Sequence, residues 1–307
     1  MSYPMIPKVK ELKLIAMYLF ISDIYNRELM FSCFRFSNNS EPEFTDAEVM
    51  TIYLYAMHIE QRFRVKQIYD YASDHLRSWF PLLPSYVAFN TRLNRLGEAF
   101  KLLSANLINE FLPSDSIGDK SLLDSMPIIT CSGKREGKVA REEITDKGFC
   151  STKGIYYYGL KLHALAFNRP HHLPFPEQFQ LTPASENDLN LYEQAWSRIE
   201  NRTFFGDKIY HDSPYFQDTA NTLNSSMLTP VKGIKDQTEN LKQRDKAAND
   251  LFSTAVSRIR QPIESLFNWL IEKTNIQRAS KVRSTKGLMV FVFGRLAAAY
   301  IYFIFNS

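Results

Sequence analysis

Three carboxylates in the second half of the chain have the type and setting that chemistry requires. Asp124 interrupts the apolar run Leu122-Leu123-Asp124-Ser125-Met126, where an ionised group is costly unless a partner or a cation compensates it. Asp207 follows Phe204-Phe205-Gly206, at the predicted C-terminal end of a strand, the end at which α/β sheets expose ligand sites. Glu264 lies in RQPIESLFNWLI, where Ile263, Leu266, Phe267, Leu270 and Ile271 recur with helical period. Arg260, Glu264, Asn268 and Glu272 form a polar stripe beside them. Two of them have an ordinary alternative. Asp124 could be a strand-end acid bonded to backbone amides, and Arg260 with Glu264 a surface pair worth roughly a few tenths of a kcal/mol. Together, two strand-end aspartates and a helix glutamate supply oxygens for a pair of Mg2+ ions, which can activate an attacking oxygen and stabilise a departing one at a phosphodiester. Lys208, His211 and Asp212 offer a competing cluster, but His211-Asp212-Ser213-Pro214 reads more simply as the turn into the next helix.

The elements that must position these residues follow from periodicity and turn signals. Residues 1 to about 115 read as helical. Thr45-Asp46-Ala47-Glu48 opens one helix with a cap residue followed three positions later by Glu. The turn-rich stretch Pro113 to Lys120 marks the boundary, giving a helical domain over 1–115 and a second domain over 116–307. In the second domain, Ser121 to Thr130, Ile155 to Phe167 and Glu177 to Leu181 read as antiparallel strands. A helix capped by Asn187 or Asp188 runs to about Ile199. Thr203 to Tyr210 reads as a strand, Pro214 to Leu223 as a helix, Ser226 to Val231 as a strand, and Gln261 to Lys273 as a helix starting near Pro262. The order is that of a ribonuclease H-like α/β domain, a mixed sheet with flanking helices, preceded by an all-helical N-terminal domain.

Composition restricts the class. The 307 residues are 45% hydrophobic and 23% charged with a net charge of +4, a folded chain with only a mild basic bias. Cys33, Cys131 and Cys150 form no CxxC or Cys/His spacing, which argues against a disulfide framework and a structural zinc site and fits a reducing cytoplasm. No signal peptide is read in Met1 to Phe20. The C-terminal run Gly287 to Phe305 is nearly long enough to span a bilayer, but Arg295 at its centre favours a buried helix. No solenoid-period repeat and no coiled-coil heptad is visible.

The segments LLDSMPI with Asp124, KGIYYYGLKLH followed by LTPAS and Asn187-Asp188, FFGDKIY with Asp207, and RQPIESLFNWL with Glu264 stand in order. In these the chain resembles bacterial insertion-sequence transposases of the DDE type over about residues 115 to 300. The resemblance implies a ribonuclease H-like catalytic domain that cuts DNA at transposon ends and joins the freed 3' hydroxyl to target DNA. It makes Asp124, Asp207 and Glu264 the catalytic and metal-binding triad, for two Mg2+ ions with Mn2+ as a substitute. Similar transposases carry a Tyr, Arg, Glu, Lys signature around the glutamate. Arg260 and Glu264 match it, Ser257 stands at the tyrosine position, and Lys273 lies two residues beyond the lysine position. Lys208 also matches. The interval from Val231 to Glu264 implies a compact version without a large strand-rich insertion. The implied partners are double-stranded DNA, terminal inverted repeats and target DNA, with a homo-oligomer assembled on DNA, no membrane, and a place in the cytoplasm at the nucleoid.

Local charge indicates where that DNA would lie. Residues 231 to 290 hold twelve Lys or Arg against six Asp or Glu, a net +6. The expected phosphate contacts are Arg260, Lys273, Arg278, Lys281, Arg283 and Lys286, with a solvated charged face as the alternative. Lys161 and His163 share one side of an alternating strand, so Lys161 is a further DNA candidate, while His163 reads as a core histidine. Lys134, Arg135, Lys138 and Arg141 form a second basic group. The stripe Tyr156 to Tyr158 reads as packing. Basic residues between Arg62 and Phe100 are compatible with DNA contact by the helical half, though no diagnostic helix-turn-helix is present. Two other readings compete with the transposase: a nuclease of the same fold that does not join strands, and a catalytically silent DNA-binding relative.

Overall fold

The computed structural model describes residues 6–33, 42–134, 144–151, 153–211, 213–231, 238–282 and 284–305. Of residues 117, 213, 214, 217, 219 and 304 it describes the backbone. Arg135, Lys138, Arg141, Lys232, Lys235 and Arg283 therefore lie outside the described residues, as does Asp212.

Contacts divide the chain into two units. One gathers Met1–Phe111 with Leu270–Ser307, the other Leu112–Gly137 with Ile144–Trp269. The first is helical: α1 (Lys8–Arg27), α2 (Asp46–Glu60), α3 (Val65–His75), α4 (Tyr86–Leu93), α5 (Gly97–Glu110) and α10 (Thr285–Phe305). The capping box at Thr45 forms as expected, with its hydroxyl accepting the Glu48 N–H at 3.2 Å and its own N–H donating to Glu48 Oε2 at 2.6 Å. Helix α10 packs against α5 and α2, grouping with the helical unit although it follows the sheet in sequence. Arg295, 4% exposed, donates to the carbonyls of Phe63 and Thr274 and stacks 4.0 Å from the Phe291 ring. Those carbonyls satisfy a charge that lipid would not. Among the described residues, Thr285–Phe303 is the helix long and apolar enough to cross a membrane, and 67% of it is buried in protein.

The second unit is built on β1 (Ile117–Ser132), β2 (Asp146–Cys150), β3 (Ile155–Asn168), β4 (Phe175–Pro183), β5 (Thr203–Phe205) and β6 (Ser226–Leu228). Strand β3 pairs antiparallel with β1 on one side and with β2 and β4 on the other. Strand β5 then adds parallel to β1, and β6 parallel to β5. Helices α6 (Asp188–Ala195), α7 (Ser213–Leu223), α8 (Glu239–Arg260) and α9 (Pro262–Thr274) complete the mixed α/β, ribonuclease H-like architecture. Leu123, Leu165, Leu191, Tyr192, Trp196 and Phe204 form the core between α6 and the sheet.

Several boundaries differ from expectation, each for a local reason. The strand read to Tyr210 ends at Phe205, because Asp207 accepts the Lys208 N–H at 2.7 Å and starts a single 3-10 turn. The last strand stops at Leu228 and α6 at Ala195. Strand β2, whose Gly148 and polar residues weaken the β pattern, was not expected. Neither was α8, 22 residues of low hydrophobicity with Val256 as its fully buried position.

Candidate active site

Sheet register brings the two aspartates together. Leu122 of β1 pairs with Phe205 of β5. Two residues further on stand Asp124 and Asp207, at the same end of neighbouring parallel strands. Helix α8 contacts both strands. It delivers Arg260 at its last turn, and Pro262, which has no N–H to continue the ladder, starts α9. Gln261 between them stays in the right-handed helical region, with φ −47° and ψ −37°. The i to i+4 spacing therefore survives the break, and Glu264 stacks on Arg260.

The guanidinium of Arg260 bridges the site. One nitrogen donates to Asp124 Oδ2 at 2.8 Å and another to Glu264 Oε1 at 2.8 Å, although Asp124 and Arg260 are 136 positions apart. Asp124 is 23% and Arg260 16% exposed at the side chain, against 53% for Glu264. Burial pushes Asp124 up to about 6 despite Arg260 and the Ser125 N–H, and the negative charges of Asp188 and Glu264 add to that rise. Arg260 is raised: burial opposes its charge, but Asp124, Glu264 and Asp207 outweigh it. Both ordinary alternatives are also present in the geometry. Asp124 Oδ1 accepts the Ser125 N–H at 2.8 Å, and Arg260 pairs with Glu264. What they lacked is the link from Arg260 to Asp124, which makes one cluster of two local features.

Asp207, Lys208, Ser257, Arg258, Arg260 and Glu264 help line an open cleft of 680 Å³. The carboxylates are hard oxygen donors of the kind divalent cations such as Mg2+ prefer, and a cation already lies between two of them in the form of Arg260. Among the described residues no group of three or more His, Cys, Asp or Glu converges as a ready-made metal cage.

The remaining candidates are dispersed. Lys208 is exposed beside Asp207. Lys161 is 17% exposed and turns to Asp188 at 2.9 Å and to the Glu186 carbonyl at 2.6 Å, not outward. His163 is fully buried, with Nε2 2.7 Å from Thr182 Oγ1, as a core histidine would be. Arg278, Lys281 and Lys286 are exposed, and Lys273 pairs with Glu272, all in the helical unit; Arg283 lies outside the described residues. Sequence reading missed Asp188 and Ser125 as parts of the site. The signal available was Lys161 and His163 inside an otherwise apolar strand, which calls for a buried counter-charge.

No curated protein and no solved structure matches the chain. The family model described as the transposase DDE domain matches residues 117–301, from the first strand of the sheet into the last helix and across every residue of the carboxylate cluster. The chain belongs to the transposase DDE-domain family.

Proposed function

We propose that this transposase cleaves DNA at the terminal inverted repeats of its element and joins the freed 3' hydroxyl to target DNA, with Asp124, Asp207 and Glu264 holding two divalent cations, Mg2+ or Mn2+ in its place. The observation that carries this reading is the Arg260 bridge between Asp124 and Glu264. It marks a place where a half-buried acid and a helix acid already share one cation. Two bound ions would supply charge for the attacking and departing oxygens of an in-line displacement. The chain's own residues do the rest. Asp124 and Asp207 stand at the same end of β1 and β5, Arg260 ties Asp124 to Glu264, and its guanidinium would orient these acids or hold a phosphate with paired hydrogen bonds.

Exposed Lys208, Arg278, Lys281 and Lys286, with Lys273 and Arg283, would hold the DNA backbone without reading its sequence. The helical N-terminal segment, residues 1–115, would recognise the element's ends, and a homo-oligomer would hold two ends together beside the nucleoid. The experiment is incubation with Mg2+ and a supercoiled plasmid carrying the element's flanking sequences. Strand-transfer products are expected. Nicking alone would favour the nuclease reading, and DNA binding without cleavage in Mg2+ or Mn2+ the silent relative.

A further inference from the structure

Next to Asp124 along β1, Ser125 leads to another carboxylate, the largely buried Asp188. Asp188 is 8% exposed and opens α6, immediately after its cap residue Asn187. Its Oδ2 accepts the Ser125 hydroxyl at 2.9 Å, and its Oδ1 accepts Lys161 Nζ at 2.9 Å. His163 Nδ1 lies 3.7 Å from the same Oδ1.

Successive residues of a strand face opposite sides of the sheet, so Asp124 turns to Arg260 while Ser125 turns with Leu123 to the α6 side. Ser125 is therefore the joint between two acids. Its N–H donates to Asp124 Oδ1 at 2.8 Å, and its hydroxyl donates to Asp188.

A buried ion pair is a poor way to gain stability, since apolar groups of the same volume usually serve as well or better. What it provides is direction, because the Ser125 hydrogen bond from β1 and the Lys161 salt bridge from β3 allow one arrangement of β1, β3 and α6 at this point.

We propose that Asp188 is a positioning residue of the transposase reaction: through Ser125 it fixes the end of β1 and so aims the carboxylate of Asp124. The inference rests on the assignment of Asp124 as a metal ligand. It predicts the behaviour expected of groups that orient a ligand without touching the metal, in which loss costs about 10- to 100-fold in metal affinity or activity.

The test uses the full chain with Ser125→Ala, Ser125→Thr, Asp188→Asn and Asp124→Asn. The readouts are Mn2+ affinity by electron paramagnetic resonance titration, cleavage turnover on end-bearing DNA, DNA affinity and melting temperature. Ser125→Ala should lower Mn2+ affinity and turnover by about 10- to 100-fold with DNA affinity and melting unchanged. Ser125→Thr, which keeps the hydroxyl, should restore both. Adding Ser125→Ala to Asp188→Asn should cost no more than Asp188→Asn alone, since the two act through one bond. Because Asp188→Asn also strips Lys161 of its counter-charge and can unsettle the fold, Ser125→Ala is the deciding variant. If Ser125→Ala binds Mn2+ and cleaves as the unaltered protein does while Asp124→Asn is inactive, the positioning role is wrong and the ligand assignment stands. If Asp124→Asn is itself fully active, the ligand assignment has failed and the positioning role falls with it.

Discussion

At the scale of single residues, Arg260 joins what the sequence presents as separate. It holds Asp124 and Glu264 at 2.8 Å each, and its charge is the counterweight to a cluster in which burial pushes Asp124 up to about 6. Arg260→Ala should slow cleavage by about 10- to 100-fold, as expected when a group that orients ligands is lost. Arg260→Lys should recover only part, because an ammonium cannot span two carboxylates as a planar guanidinium does. Single-turnover cleavage of end-bearing DNA checks this, and full activity in Arg260→Ala would remove the residue from the mechanism. Asp124, Asp207 and Glu264 were readable as candidates in the sequence from their combination and from the order of the matching segments, whereas the link through Arg260 was not. Asp188 was not, because beside Asn187 it looks like an ordinary helix-cap acid, and its burial becomes visible only when β1 and β3 are paired.

At the scale of elements, the pairing of β1 with β3 decides where Asp124 stands. Gly159 makes that pairing possible: a Cβ there would lie 1.9 Å from the Ile128 carbonyl oxygen on β1. Gly159→Ala must push the strands apart and should destabilise the protein by more than about 2 kcal/mol, in the range of severe core substitutions. Denaturant unfolding measures it, and an unchanged midpoint would show that the close approach is not required. The long strands and capped helices were readable from alternation and cap residues. The short ones were harder: β5 has three residues, Thr203–Phe205, and takes its place from parallel pairing with β1, a long-range contact that no local pattern encodes. Helix α8 has little buried apolar surface along its length and so gives a weak periodic signal.

At the scale of the molecule, each unit buries a histidine that must stay neutral. Burial lowers His58 in the helical unit and His163 in the sheet unit to about 4 from an ordinary value of 6.5. Below 6.5 the unfolded chain binds protons that the folded chain refuses. The stability present above that pH is therefore lost as pH falls toward 4, by up to roughly 3 kcal/mol for each histidine. His58→Phe, which keeps a ring against Tyr302, should flatten the fall in melting temperature between pH 7 and 4 relative to the unaltered protein. Equal slopes would mean that His58 does not report on folding. The proposed chemistry depends on three acids acting as one, and the most direct measurement of that proposal is Mg2+-dependent cleavage of end-bearing DNA by Asp124→Asn, Asp207→Asn and Glu264→Gln. Each removes a negative charge at nearly constant volume. The account predicts that all three lose cleavage while still folding and binding DNA; cleavage at the unaltered rate by any one of them would contradict it.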